Sequence, residues 1–208
     1  MNKSRNTPDL ILASSSSYRR ALLERLGIAF RVQAPDIDET ALPGESPAAA
    51  ARRLSLSKAL VVARQHPSAW VIGSDQTATI DGKQIIGKPM THERARAQLG
   101  AASGKTLHFY TGLALVCIEE NFELFDLSEV KANFRSLSNE QIETYLLREK
   151  PYDCAGSAKS EGLGIALLES MTGADPTALI GLPLTRLCGL LASRGYDAIT
   201  RQFSAVHE

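Results

Sequence analysis

Residues 10–27 read LILASSSSYRRALLERLG. Four apolar residues, four serines, and then Ala21, Leu22 and Leu26 ahead of Gly27 predict a buried strand, a loop and a helix that stops at glycine. A strand feeding a helix through small residues lets backbone N–H groups approach an anion at the positive helix end, where Arg19 or Arg20 could fork onto phosphate oxygens. The serines also read as a simple helix cap with both arginines in solvent, and the segment alone fits either use.

Outward from this segment, Phe30 to Gln33 predicts a second strand. Residues 35–47, rich in acids and prolines, predict a loop. A helix follows from about Ala48 to the His66-Pro67 step, since the residue before proline is driven out of helical geometry. Trp70 to Ser74 (WVIGS) reads as a buried strand, and Thr77 to Ile80 with Gln84 to Ile86 as a hairpin about Asp81-Gly82. Thr91 opens a helix ending near Gly104, two long β stretches cover Thr106 to Ile118 and Phe122 to Phe134, and Ser138 with Gln141 forms a capping box for a helix to about Glu149. After the Gly/Ser segment CAGSAKSEGLG (154–164), Ile165 to Glu169 predicts a strand and Pro183 to Arg194 a closing helix with proline in its first turn. The chain shows no repeat and no linker, so one domain is expected over 10–208 behind a disordered tail over 1–9. Its class is α/β or α+β, with the two central β stretches as one lobe.

Composition narrows the function. Among the 208 residues, 23 Lys and Arg balance 23 Asp and Glu, so net charge gives no general attraction to nucleic acid or an anionic membrane. Cys117, Cys154 and Cys188 are odd in number and form no C-x-x-C, against both a disulfide framework and a zinc site. Apolar runs such as Leu113 to Ile118 are far too short to span a bilayer. The expectation is a soluble protein of a reducing compartment, the cytoplasm.

Several residues could carry chemistry. Asp75, in Gly73-Ser74-Asp75-Gln76 at the end of an apolar strand, is placed where α/β sheets put catalytic groups, although a turn aspartate would look the same. Asp36, Asp38 and Glu39 in a loop, Lys58 on a helix and Lys88 in Gly87-Lys-Pro89 supply the anions and cations that a metal-bound triphosphate needs, and each also reads as a surface charge. Glu161, the single acid of the Gly/Ser segment, could read the donor edge of a guanine. His66, His92, His108 and His207 share no ligand spacing.

Taken in order, LILASSSSYRRALLERLGI, PDIDE, RLSLSKA, VIGSDQ, IIGKP, FYTGLAL, CAGSAKSEGLGI and IGLPL resemble the Maf family of nucleoside triphosphate pyrophosphatases over about residues 10 to 195. The resemblance implies a mixed-sheet, Maf/ITPase-like α/β fold, two lobes flanking an active cleft, and a homodimer. It implies that Asp75 activates the hydrolytic water and that Glu39 and Asp75 hold a divalent cation, Mg²⁺ or Mn²⁺. Lys58 and Lys88, also in the catalytic set, and Arg19 would neutralise the phosphates, with Ser14 and Ser16 lining the phosphate loop. Base choice would rest on Tyr18, Gln76 and Glu161. Branches preferring dTTP and UTP carry Arg, Thr and Gln there, and the 7-methyl-GTP branch Trp, Gln and Glu. The expected reaction is therefore hydrolysis of 7-methyl-GTP to 7-methyl-GMP and pyrophosphate, a house-cleaning activity. A dTTP/UTP pyrophosphatase or a non-catalytic nucleotide-binding regulator of septum formation are the alternatives. Two departures stand out: Tyr18 replaces Trp, reducing the stacking surface, and Ser17 replaces the usual proline of the loop.

Overall fold

The computed structural model describes residues 7–203. Its main sheet comprises β1 (Leu10–Ala13), β2 (Arg31–Gln33), β3 (Trp70–Thr79), β4 (Thr106–Cys117), β5 (Phe122–Phe134) and β6 (Leu168–Gly173), in the spatial order β2-β1-β3-β4-β5-β6. β1 is parallel to both its neighbours, and every later pairing is antiparallel. This is a mixed-sheet α/β fold.

β1 is apolar throughout because both faces of the sheet are covered there. Leu10 and Leu12, with Trp70, Ile72, Leu113 and Leu115, pack under α1 (Ser17–Glu24) and α5 (Leu184–Ser193). Ile11 and Ala13, with Val71, Ala114 and Val116, pack against α2 (Pro47–Ala63) on the other side. At the far end, α3 (His92–Ala102) and α4 (Asn139–Glu149) close a second core with Phe109, Val130, Ala132 and Phe134. The capping box of α4 forms as the sequence predicts, Ser138 Oγ accepting from Gln141 N and Gln141 Oε1 from Ser138 N. A short ribbon, β7 (Tyr196–Asp197) with β8 (Gln202–Phe203), sets Tyr196 and Phe203 edge-on to Trp70.

Four sequence expectations change. The hairpin over 77–86 is reduced to an isolated Ala78–Ile86 bridge on one edge of β3, with Ile86 N donating to Ala78 O, while β3 runs unbroken to Thr79 and pairs with β4 along its other edge. The Asp81 carboxylate instead accepts from Lys83 N and Gln84 N, closing a tight side-chain turn. The strand expected over 165–169 starts later, at Leu168, since residues Leu163–Leu167 coil into a 3₁₀ turn. The two long central strands are not a separate lobe. Leu107 and Phe109 of β4 enter one core while Leu113 and Leu115 enter the other, so β4 spans both lobes and the cleft lies between the two cores. Residues 1–6 of the tail expected over 1–9 lie outside the described residues, as does His207, and Asp9 is held: its carbonyl accepts from Trp70 N and its carboxylate pairs with Arg31.

Candidate active site

Period-two alternation along β3 decides what each residue of GSDQ can reach. Gly73 and Asp75 face α2, whereas Ser74 and Gln76 face the opposite side, toward residues 178–181. The helix approaches very closely. A Cβ on Gly73 would stand 2.2 Å from Ser55 O, and one on Gly112, opposite Asp75 in β4, 2.4 Å from Ser55 Oγ and 2.5 Å from Ala51 O. Ala51, Ser55 and Ala59, spaced four apart on one face of α2, are the small residues that allow it.

This contact builds the polar centre. β1 ends opposite Gly73, so no β1 residue reaches Asp75, and the Asp75 N–H donates to Ser55 Oγ at 2.9 Å. One turn along α2, the Lys58 ammonium lies 2.6 Å from Asp75 Oδ1 and 2.9 Å from Glu39 Oε1. Lys58 and Asp75 are buried, whereas Glu39 is more than half exposed on its loop. Asp36 and Asp38 are exposed and do not line the cleft, Asp38 being engaged by Thr40 N at 2.8 Å.

The cleft has a volume of about 440 Å³, and its lining includes the Ser14–Ser17 loop, Tyr18, Arg19, Glu39, Lys58, Asp75, Gln76, Lys88 and Glu161. All the site residues expected from the resemblance therefore share one cavity. The serines do cap the helix: Ser16 Oγ accepts from Arg19 N, and buried Ser14 accepts from Ser16 N. Ser17 occupies the first helical position, where proline is favoured, so a proline would fit the local geometry. The two arginines separate, Arg20 turning outward to Glu24 while Arg19 turns inward and donates from Nε to Gly181 O at 2.8 Å. Burial lowers the Arg19 pKa from its ordinary value, and the nearby Asp75 and Glu39 charges oppose that fall.

The other end of the cleft has a different character. Lys159, which the sequence reading passed over, places its ammonium 5.7 Å from the Tyr18 ring centroid. Burial raises the Tyr18 hydroxyl above its ordinary pKa, and its hydrogen bond to Lys159 opposes the rise. Asp153, Cys154 and Glu161 line the same end. Burial pushes the Cys154 thiol up to about 12, and its Sγ donates to Asp153 Oδ1 at 3.5 Å. The signal for Lys159 was its place two residues before Glu161 in the same segment, but a long lysine in a Gly/Ser loop gives no direction from sequence alone. Gln98 of α3 ties the two ends together: its Nε2 donates to Gly87 O beside Lys88, and its Oε1 accepts from Ser157 Oγ.

Among the described residues no group of three or more His, Cys, Asp or Glu could cage a metal ion. Glu39 and Asp75 nevertheless converge on one cationic point, and a carboxylate pair completed by phosphate oxygens is a sufficient donor set for Mg²⁺ or Mn²⁺. The described histidines have structural partners: His66 meets Gln33, His92 meets Tyr152 and Glu143, and His108 meets Glu129.

Curated relatives align over most of the chain. A 7-methyl-GTP pyrophosphatase of Albidiferax ferrireducens is 56% identical, covering 91% of this chain and 95% of its own. Proteins of the same name from Polaromonas sp. (56%, covering 89% and 84%) and Nitrosococcus oceani (54%, covering 92% and 96%) are similarly close. Among solved structures, the Staphylococcus aureus Ham1 protein is 10% identical with a TM-score of 0.40, covering 62% of this chain and 72% of that one. The model of the Maf-like protein family matches residues 9–194, which contain the whole cleft, and the chain accordingly belongs to that family.

Proposed function

We propose that the protein is a nucleoside triphosphate pyrophosphatase converting 7-methyl-GTP and water to 7-methyl-GMP and pyrophosphate. One observation carries the reading: a buried lysine bridges two carboxylates on the floor of a cleft also walled by a helix N-terminus, Arg19 and Lys88. In the proposed reaction Asp75 takes the proton of the attacking water as its oxygen bonds to the α-phosphorus. The bond from that phosphorus to the bridging oxygen breaks, and pyrophosphate leaves with the electron pair. Lys58 orients the Asp75 carboxylate, while Arg19 and Lys88, both lining the cleft, neutralise the phosphate chain. Glu39 and Asp75 would hold a divalent cation, which supplies neutralisation of the phosphoryl oxygens when bound. An excess of chelator is expected to abolish turnover and added Mg²⁺ or Mn²⁺ to restore it; undiminished turnover in chelator would overturn the metal assignment.

For the base, the name shared by the curated relatives and the chemistry of the Tyr18 end agree. N7 methylation leaves a positive charge on guanine, which an aromatic face attracts, and Glu161 can accept from the N1–H and the exocyclic amine. In a panel of 7-methyl-GTP, GTP, dTTP and UTP, 7-methyl-GTP is expected to show the highest kcat/KM. Glu161→Gln is expected to lower that value about 10-fold or more by misplacing a donor against the guanine edge. Faster turnover of dTTP or UTP by the unaltered enzyme would overturn the base assignment. The proposal includes a house-cleaning role for a homodimer in the cytoplasm. Its three free cysteines suit a reducing compartment, and no helix of the described residues is long and apolar enough to cross a membrane.

A further inference from the structure

Residues 175–182 form a strap across the sheet face opposite α2, and its carbonyls are taken by side chains from three other elements. Gly181 O accepts from Arg19 Nε at 2.8 Å and from Ser74 Oγ at 2.9 Å. Ala178 O accepts from Thr111 Oγ1 at 2.9 Å and Gln76 Nε2 at 2.9 Å, and Leu179 O from Gln76 Nε2 at 3.0 Å. Thr111 Oγ1 in turn accepts from Gln76 Nε2 at 2.9 Å, so that hydroxyl links β4, β3 and the strap. At the strap's start, buried Asp175 accepts from Thr177 N, Thr177 Oγ1 and Arg186 N, joining the strap to the first turn of α5. Gly181, which accepts from Arg19, has φ of 122°, a conformation that favours glycine.

Thr111 and Asp175 do not line the cleft, yet Arg19 does. An arginine held through Nε keeps its two terminal nitrogens as a fork for phosphate oxygens, and the direction of the fork is set by the acceptor that holds Nε. We infer that Thr111 and Asp175 are positioning residues for Arg19: by fastening the strap they fix the Gly181 carbonyl, which aims the guanidinium at the phosphate chain. This inference rests on the reading of Arg19 as a phosphate ligand. It also gives Gln76 a second task, because its amide nitrogen is engaged by the strap and only its Oε1 remains to meet a base.

The test compares Thr111→Val, Thr111→Ser and Asp175→Asn in the full chain, each alone and combined with Arg19→Gln. Turnover of 7-methyl-GTP and GTP is measured, together with calorimetric binding of inorganic triphosphate in Mg²⁺. Thr111→Val is expected to lower kcat/KM about 10-fold, with Thr111→Ser close to the unaltered protein. It is also expected to weaken triphosphate binding and to have no further effect once Arg19 is Gln. Asp175→Asn should behave like Thr111→Val and provides the same comparison if that variant does not fold. Losses that persist in the Arg19→Gln background or unaltered triphosphate binding would overturn the inference. If no nucleotide is turned over, the pyrophosphatase reading fails by itself, and triphosphate binding still decides the role of the strap.

Discussion

Asp75→Asn is expected to reduce kcat by about 10³-fold, the size of effect seen when a general base is removed, while leaving the fold intact. The substitution keeps the shape of the side chain, the N–H bond to Ser55 Oγ and a polar neighbour for Lys58, but removes the charge that accepts a proton. Because Lys58 keeps Glu39, its charge is not orphaned, so the stability loss should be about 1–3 kcal/mol, below that of a fully buried pair losing one member. Rates under saturating substrate, with a denaturation curve on the same preparation, separate the two effects. Near-normal kcat in a folded Asp75→Asn protein would remove Asp75 from the reaction.

Gly73→Ala should have the largest effect on stability, at about 2–4 kcal/mol, and it also reaches the chemistry. The added Cβ meets Ser55 O at 2.2 Å, Ala59 N at 2.8 Å and Ala59 Cβ at 2.9 Å. The first two are backbone atoms of a long helix, so no side-chain rotation relieves the overlap and α2 itself must shift. α2 carries both Ser55 and Lys58, so that shift separates them from Asp75, and a displacement on the scale of 1 Å at such a centre costs about 10²-fold in rate. The expected outcome is a lower denaturant midpoint with unchanged slope, and a reduced kcat where the variant is still fully folded. A variant with the midpoint and rate of the parent would show that the helix can yield without disturbing the site.

Much of this architecture is legible along the chain, for identifiable reasons. The strand-loop-helix at 10–27, the capping box at Ser138 and Gln141, and the proline-terminated helix before Pro67 are local: propensity, caps and steric rules act within a few residues. The site residues came from motif order and not from any single segment, since Asp75, Lys58 and Glu39 each read equally well as surface or turn charges. The choice between Arg19 and Arg20 was not available locally, because adjacent helical residues differ only in the direction they face, and Gly181, more than 150 residues away, provides the acceptor that settles it. The expected hairpin shrinks to the single Ala78–Ile86 bridge, with Lys83 N and Gln84 N turned to the Asp81 carboxylate and not to β3.

By itself, the sequence determined the local elements, the ordered motifs that place the chain in its family, and the residue types needed to handle a triphosphate. Tertiary structure alone decided that Asp75 and Gln76, neighbours in the chain, work on opposite faces of the sheet. It also set the glycine-to-helix contact that brings Lys58 within 2.6 Å of Asp75, and the strap that aims Arg19. The reason is range: propensities and caps are fixed by neighbours in the chain, whereas hydrogen bonds and close packing between distant segments exist only once the sheet has brought those segments together.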